Sequence, residues 1–129
     1  MLSPIDPNQI QEYFGNERVI RLVFEQLSKD CYPFIEFSID GLDLSDDSIK
    51  EPIYERLVKS FSEELERTDR LDHSNLLSLI YRVDLNKQRY NACVEFSMNY
   101  DCLARELLNR EFKKVLFRLY YQQMNDQKE

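Results

Sequence analysis

The sequence predicts a mainly α-helical fold, a single-domain bundle of four or five helices. Only 2 glycines and 4 prolines occur among the 129 residues, so the chain has few residues for the tight turns of all-β folds. Apolar residues instead recur at three- and four-residue intervals over three long stretches, as in amphipathic helices. With 43% apolar and 32% charged residues, the composition is that of one soluble globular domain. We expect the domain to span residues 1–122, with 123–129 as a disordered tail.

The N-terminal elements are predicted to be two helices. Asp6 and Pro7 are a favourable cap and first helical residue, so a short helix is expected over 7–14, ended by Gly15. Residues 17–30 follow the pattern of an amphipathic helix. Its apolar arc consists of Val19, Ile20, Val23, Phe24 and Leu27.

Residues 34–44 are the one region with a strand pattern. Pro33 stops the preceding helix, and Ile35, Phe37 and Ile39 then alternate with polar residues. A short strand or small hairpin is one interpretation. An extended segment lying across the helices is the other, and the sequence does not choose between them.

The middle of the chain is predicted to hold two more helices. Pro52 suits the first turn of a helix that runs to about Thr68. Its apolar stripe consists of Ile53, Leu57, Phe61 and Leu65. Asp72 or Ser74 is expected to cap the next helix. Apolar residues over 76–83 cover most of that helix's circumference, which predicts an interior position.

The last long helix is expected to begin near Asn99 or Asp101 and to end near Tyr121. The segment before it, 85–98, fits either a short helix or a packed loop. The main apolar stripe of the last helix contains Leu108, Phe112, Val115, Leu116 and Leu119. A second side mixes Leu103, Leu107, Phe117 and Tyr121 with Arg110, Lys114 and Arg118. A helix that is apolar on two sides is either central in a bundle or contacts a partner chain.

The charge and glycine content argue against several function classes. With 17 basic and 24 acidic side chains, the net charge of −7 argues against general binding to nucleic acids or anionic membranes. Phosphate-binding loops need several glycines within a few residues, and only Gly15 and Gly41 exist. No apolar stretch approaches the roughly 20 residues that span a bilayer. We therefore expect no membrane segment and no cofactor.

The cysteines predict a reducing compartment. Cys31, Cys93 and Cys102 form an odd set without a C-x-x-C motif, and no secretory leader is recognised. We interpret them as reduced thiols of a cytoplasmic protein, with Cys31 and Cys102 as small packing residues. Cys93 and Cys102 could meet only if the chain between them turns back. One histidine and scattered cysteines supply no pair of zinc ligands.

Two sequence blocks resemble a known family. Residues 73–86, HSNLLSLIYRVDLN, and 104–121, ARELLNREFKKVLFRLYY, are similar to blocks in an uncharacterised family of small acidic helical bacterial proteins. The resemblance covers 32 of the 129 residues, and its motifs are packing motifs. It implies a bacterial, cytoplasmic origin and no particular activity.

Two motifs invite a catalytic or metal-binding interpretation that their residues do not support. Adjacent residues on one helical turn point in different directions, so Asp72, His73 and Ser74 are expected to begin a helix and not to form a catalytic triad. The same position at a helix start disfavours His73 as a phosphorelay histidine. The stretch from Glu36 to Asp47 spaces oxygen atoms like a calcium loop, but its first and last ligands are the wrong acidic residues. We expect no catalytic and no metal-binding residues.

The predicted function is that of a small non-catalytic protein-interaction module that self-associates. The candidate partner-binding residues lie on the last helix: Arg110, Lys114, Phe117, Arg118 and Tyr121. The net charge favours an acidic protein partner over a phosphate backbone, and the acidic 40–47 segment of a second copy is our candidate. Helix-spaced pairing of Glu111 with Lys114 would instead make this an ordinary solvated face.

Two other functions remain open from the sequence. A small-molecule-binding protein or enzyme would use an apolar pocket between helices, for which Tyr81, Tyr90 and Tyr100 are the candidate lining. A nucleic-acid-associated protein would use the basic side of the last helix.

Overall fold

The computed structural model describes residues 4–36 and 52–127, in which the chain forms one short 3-10 helix and five α-helices. The 3-10 helix is Ile10–Tyr13, and the α-helices are α1 (Glu17–Cys31), α2 (Ile53–Leu71), α3 (His73–Val83), α4 (Lys87–Val94) and α5 (Tyr100–Gln127). No strand occurs within these described ranges, and the predicted mainly α bundle is confirmed. The strand or hairpin predicted at 34–44 falls largely on 37–51, outside the described residues.

Helix α5 is the centre of the bundle, since it packs against the 3-10 helix and all four other α-helices. The side chains of its first half are buried on both apolar sides. Leu103, Leu107, Leu108, Phe112, Val115 and Leu116 are all 0% exposed. The two apolar faces predicted for this helix are therefore explained, over its first half, by a central position.

Polar side chains cap the first turns of α1, α3, α4 and α5. Four side-chain oxygens each accept a hydrogen bond from a backbone N–H of the first turn: Asn16 from Val19 (3.1 Å), Asp72 from Ser74 (2.9 Å), Asn86 from Gln88 (2.7 Å) and Asn99 from Cys102 (3.0 Å). The predicted cap at Asp72 is thereby confirmed. The cap at Asn86 makes 87–94 the short helix that the sequence left open.

The turn between α3 and α4 depends on Asp84. Its backbone is left-handed, with φ of 65°, a conformation usual for the residue that ends a helix. The Leu85 N–H donates to the carbonyl of Ile80 at 3.2 Å and closes the end of α3. This turn places the Asp84 carboxylate beside α5, where Arg110 contacts it.

The short helix predicted over 7–14 is a 3-10 helix that spans only Ile10–Tyr13, and two further expectations about the helices also differ from the structure. The interior position predicted for α3 is wrong, because Tyr81 is 86% exposed and Leu77 44% exposed. One side of α3 packs on the core, through Leu76, Leu79, Ile80 and Val83. Helix α5 also continues past Tyr121 to Gln127. The Ile5 N–H donates to Gln123 Oε1 at 2.8 Å, and this contact ties the N-terminal segment to the extended part of the helix.

The prediction of three reduced cysteines is wrong for two of them. Cys93 and Cys102 form a disulfide, with Cα atoms 5.5 Å apart. The chain between α4 and α5 turns back, and the Asn99 N–H donates to the carbonyl of Cys93 at 3.0 Å. This reversal of the chain brings Cys93 and Cys102 together, as the sequence required for them to meet. Cys31 is a free, buried cysteine, as the packing interpretation predicted.

We expect reduction of the Cys93–Cys102 disulfide to lower the free energy of unfolding by about 2 kcal/mol, because the crosslink closes a short loop in the unfolded chain. Urea unfolding followed by circular dichroism, with and without reductant, measures this loss. Cys93→Ser/Cys102→Ser should show the same loss and no further effect of reductant. An effect of reductant that persists in this variant would contradict the assignment.

Candidate functional site

The three cations predicted to bind a partner have partners within the chain. Arg110 Nη2 lies 3.3 Å from Asp84 Oδ2, and its Nε donates to the Asp84 carbonyl at 3.2 Å. Lys114 Nζ lies 3.0 Å from Asp30 Oδ2. Arg118 Nη2 donates to Gln26 Oε1 at 2.5 Å. This basic side of α5 therefore attaches α5 to α1 and to the turn after α3.

The aromatic members of the predicted site are exposed. Phe117 is 38% and Tyr121 59% exposed, and their ring centroids lie 6.5 Å apart. Met124 on the next turn is 38% exposed. At 100° per residue these three side chains fall within about 60° of one another. We call Phe117, Tyr121 and Met124 the outer stripe of α5.

A buried acidic side chain lies beneath the basic side of α5. Glu111 is 0% exposed, and neither of its carboxyl oxygens has a hydrogen-bond donor within the described residues. Lys114 Nζ is 3.6 Å from its Oε1. Burial, and then the neighbouring Asp30, raise the pKa of Glu111 to about 9. Glu111 is therefore protonated at neutral pH.

Asp30 is the ionised partner of Glu111. Burial opposes its charge, but the neighbouring Glu111 carboxyl group and the hydrogen bonds from Lys114 and Gln26 outweigh burial and hold the pKa of Asp30 below its usual value. Two adjacent carboxyl groups in a low-dielectric interior share one proton, because both cannot ionise. The proton resides on Glu111, because Asp30 also accepts hydrogen bonds from Lys114 Nζ at 3.0 Å and from Gln26 Nε2 at 3.2 Å, which favour its ionised form. Lys114, whose side chain is 19% exposed, balances the remaining negative charge.

Cys31 lies beside this acidic pair and is not a nucleophile. Burial raises the pKa of its thiol, and the nearby Glu111 and Asp30 raise it further. The thiolate is the reactive form of cysteine, so a thiol in these surroundings stays inert.

His73 is paired with an aspartate that the sequence did not single out. His73 Nδ1 lies 2.6 Å from Asp69 Oδ1, one turn earlier in the chain. Tyr100 Oη donates to the other oxygen of Asp69 at 2.7 Å. That hydrogen bond, followed by burial, raises the pKa of Tyr100 to about 12. Asp72 accepts from the N–H and hydroxyl of Ser74, so the adjacent trio does not converge as a triad would.

The tyrosines proposed to line an apolar pocket lie apart from one another. Tyr81 is 86% exposed on α3 and lines no interior space. The hydroxyl of Tyr100 is bound to Asp69. Tyr90 is half-buried against the core.

A polar cleft of about 530 Å³ opens between the N-terminal segment, the turn after α3, α4 and α5. Its charged lining consists of Asp84, Arg89, Glu106, Arg110 and Lys113. Carboxamide side chains of Asn8, Gln11, Asn86 and Asn109 complete its polar lining. This cleft could not be predicted from the sequence, because its residues come from four separate parts of the chain.

Metal binding finds no support in the described part of the chain. No group of three or more His, Cys, Asp or Glu residues there could hold a metal ion. The calcium-like stretch from Glu36 to Asp47 lies outside the described residues, except for Glu36. Within 4–36 and 52–127, no helix has the length and apolar character needed to cross a membrane.

Comparisons with protein-family models, with curated proteins and with solved structures find no significant match to this chain. The bacterial family suggested by residues 73–86 and 104–121 therefore stays a prediction. The candidate sites rest on the geometry alone.

The acidic pair was not expected from the sequence, because Glu111 and Lys114 have the spacing of a surface ion pair on a helix. The position of Glu111 on the helix did indicate that this side chain is buried. At 100° per residue, Glu111 lies about 40° from Val115 and about 40° from Leu107, in the arc between the two apolar sides of α5. A carboxyl group in that arc predicts burial and therefore a raised pKa. Its partner Asp30 is distant in the sequence and carried no such signal.

Proposed function

We propose that this protein is a non-catalytic protein-interaction module that forms a homodimer through the outer stripe of α5. The observation that carries the proposal is the exposure of three large apolar side chains on adjacent turns of one helix, with Phe117 at 38%, Tyr121 at 59% and Met124 at 38%. Such contiguous apolar patches favour contact with another protein. Aromatic residues and methionine are enriched at the cores of protein interfaces.

The spacing of the outer stripe favours a second copy as the partner. In a two-fold contact each patch meets itself, so the patch must be self-complementary. Tyr121 lies near the middle of the interval between Phe117 and Met124. Antiparallel pairing of two α5 helices would set Phe117 against the partner's Met124 and Tyr121 against the partner's Tyr121. Both outer pairs and the central pair would then be apolar.

The internal pairing of the cations supports a protein partner over nucleic acid. Arg110, Lys114 and Arg118 each contact a side chain of α1 or of the turn after α3. Binding a phosphate backbone through them would first require those contacts to break. The same pairing modifies the original hypothesis, in which these cations met the acidic 40–47 segment of a second copy. The aromatic residues of the predicted site now carry the proposed contact.

The cytoplasmic compartment is part of this proposal. The single free cysteine, Cys31, is compatible with a reducing environment. The Cys93–Cys102 disulfide argues in the opposite direction, because structural disulfides are typical of oxidising compartments.

We expect the untagged protein to show a dimer with a dissociation constant of the order of 10 μM, because the contact is small. Tyr121→Glu should shift the protein to monomer, since two stripes would each bury a carboxylate against apolar groups. Sedimentation velocity over a concentration series measures the shift, and native mass spectrometry checks the mass of each species.

Tyr81→Glu is the matched control for Tyr121→Glu. Tyr81 is an exposed tyrosine on α3, outside the outer stripe, and the substitution makes the same change in charge. We expect it to leave the monomer–dimer equilibrium unchanged. A wild-type protein that stays monomeric at 200 μM, or equal effects of the two variants, would refute the proposal.

A further inference from the structure

The polar cleft between the 3-10 helix, the α3–α4 turn, α4 and α5 contains hydrogen-bond donors that the fold does not use. Asn86 and Asn109 both use their amide oxygen within the fold. Asn86 Oδ1 accepts from the Gln88 N–H at 2.7 Å, and Asn109 Oδ1 accepts from the Tyr54 hydroxyl at 2.8 Å. The NH2 groups of both side chains then remain for a ligand. Each amide is oriented by a contact that the fold itself needs.

Two cations of the cleft keep unused hydrogen-bonding capacity. Arg89 Nη1 lies 3.7 Å from Glu106 Oε2, which is an ion pair but longer than a hydrogen bond. Lys113 forms no ion pair with any residue in the described part of the chain. Arg110 differs from both, because Asp84 already binds it. The donors that remain come from Arg89, Lys113, Asn86 and Asn109.

The cleft is also locally positive in an acidic protein. Its lining carries three basic side chains, Arg89, Arg110 and Lys113, against two acidic ones, Asp84 and Glu106. The local balance is therefore +1, whereas the whole chain has a net charge of −7. Donor groups and positive charge together are the chemistry that recognises carboxylate and phosphate groups.

We propose that this cleft binds a small organic anion, whose carboxylate or phosphate group is held by Arg89, Lys113 and the amide NH2 groups of Asn86 and Asn109. The volume of about 530 Å³ is that of a site for a small molecule. Ile10 and Leu85 also line the cleft and would contact the apolar part of such a ligand. This site shares no residue with the outer stripe, so it does not depend on dimer formation.

Nuclear magnetic resonance titration tests the proposal directly. Inorganic phosphate and succinate serve as separate probes for the two anion classes, with sodium chloride at equal ionic strength as the reference. We expect at least one probe to cause saturable shifts of the side-chain NH2 signals of Asn86 and Asn109. Which probe saturates first distinguishes a phosphate site from a carboxylate site.

Asn109→Asp is the most informative variant. The new carboxylate still accepts the Tyr54 hydroxyl, but it replaces an NH2 donor with a negative charge at the anion's position. Asn109→Asp and Lys113→Gln should each weaken binding about tenfold or more, since hydrogen bonds to charged groups are among the stronger ones. Lys29→Gln, at an exposed lysine of α1 outside the cleft, makes the same charge change as Lys113→Gln and should have no effect.

Three results would overturn the proposal. The first is the absence of saturable shifts at Asn86 and Asn109 with either probe up to 50 mM. The second is equal binding by wild type and Asn109→Asp. The third is an equal loss with Lys29→Gln and Lys113→Gln, which would assign the effect to overall charge. Backbone spectra of each variant confirm that its fold is retained.

Discussion

Replacing Glu111 with glutamine is expected to raise the free energy of unfolding by about 3 kcal/mol at pH 7. Glutamine has nearly the same shape as protonated glutamate. Its amide is uncharged, as the carboxylic acid form of Glu111 is. The variant removes the penalty of keeping a carboxyl group protonated in the folded state while it ionises in the unfolded state. Urea unfolding at several pH values measures this gain.

The pH dependence gives the same prediction a second readout. The pKa of Glu111 is about 9 in the folded protein, against an ordinary value of 4.5. Below the ordinary value both states hold the proton, and Glu111 imposes no penalty. As pH rises above it, the unfolded chain releases the proton and the folded chain does not, so wild-type stability falls. The loss ends near the folded pKa, where the native state also ionises.

Glu63→Gln supplies the control, because it makes the same substitution at an exposed position of α2. We expect it to change stability by no more than about 0.5 kcal/mol and to leave the pH dependence as in wild type. The interpretation of the acidic pair would be wrong if Glu111→Gln destabilised the protein. It would also be wrong if that variant retained the wild-type loss of stability between about pH 5 and pH 8.

Replacing Lys114 with methionine is expected to lower the free energy of unfolding by about 3 kcal/mol. Lys114 Nζ lies 3.0 Å from Asp30 Oδ2, and the two side chains are only 19% and 16% exposed. Methionine retains the apolar length of the side chain and removes the charge. Asp30 would then remain ionised beside Glu111 without its cation. Loss of one partner of a largely buried ion pair is among the more destabilising single changes.

Lys113→Met tests whether position and not charge causes this loss. Lys113 is the adjacent residue and forms no ion pair within the described residues, so we expect a change below about 1 kcal/mol. Adding Asp30→Asn to Lys114→Met should recover part of the stability, because the uncompensated charge disappears. Equal losses for Lys113→Met and Lys114→Met, or no recovery in the double variant, would contradict the assigned ion pair.

These expectations change how the basic side of α5 can be tested for partner binding. A charge reversal at Lys114 would disturb the Asp30–Glu111 pair and unfold part of the population. If such a variant lost self-association, the cause would be its lower stability and not the loss of an interface contact. Tyr121 is free of this difficulty, because it is 59% exposed and lies outside the buried cluster.

The fold class and the helix starts could be predicted because they depend on short-range chemistry. Asn16, Asp72 and Asn99 cap their helices with bonds that span two or three residues. The periodic apolar residues of α1 and α2 face the core as their spacing predicted. The interior position predicted for α3 was wrong, because an apolar circumference does not specify which side a neighbouring helix covers.

The sequence by itself determined a helical chain whose last helix is apolar on two sides and also carries basic side chains. Only the tertiary structure decided that this helix is central and which of its side chains are exposed to a partner. Lys114 meets Asp30 across 84 residues, and Arg118 meets Gln26 across 92. Contacts between such distant residues determine the protonation of Glu111, the pairing of the α5 cations within the chain and the exposure of the outer stripe. Helical periodicity is local, whereas burial and charge pairing depend on which distant segments pack together.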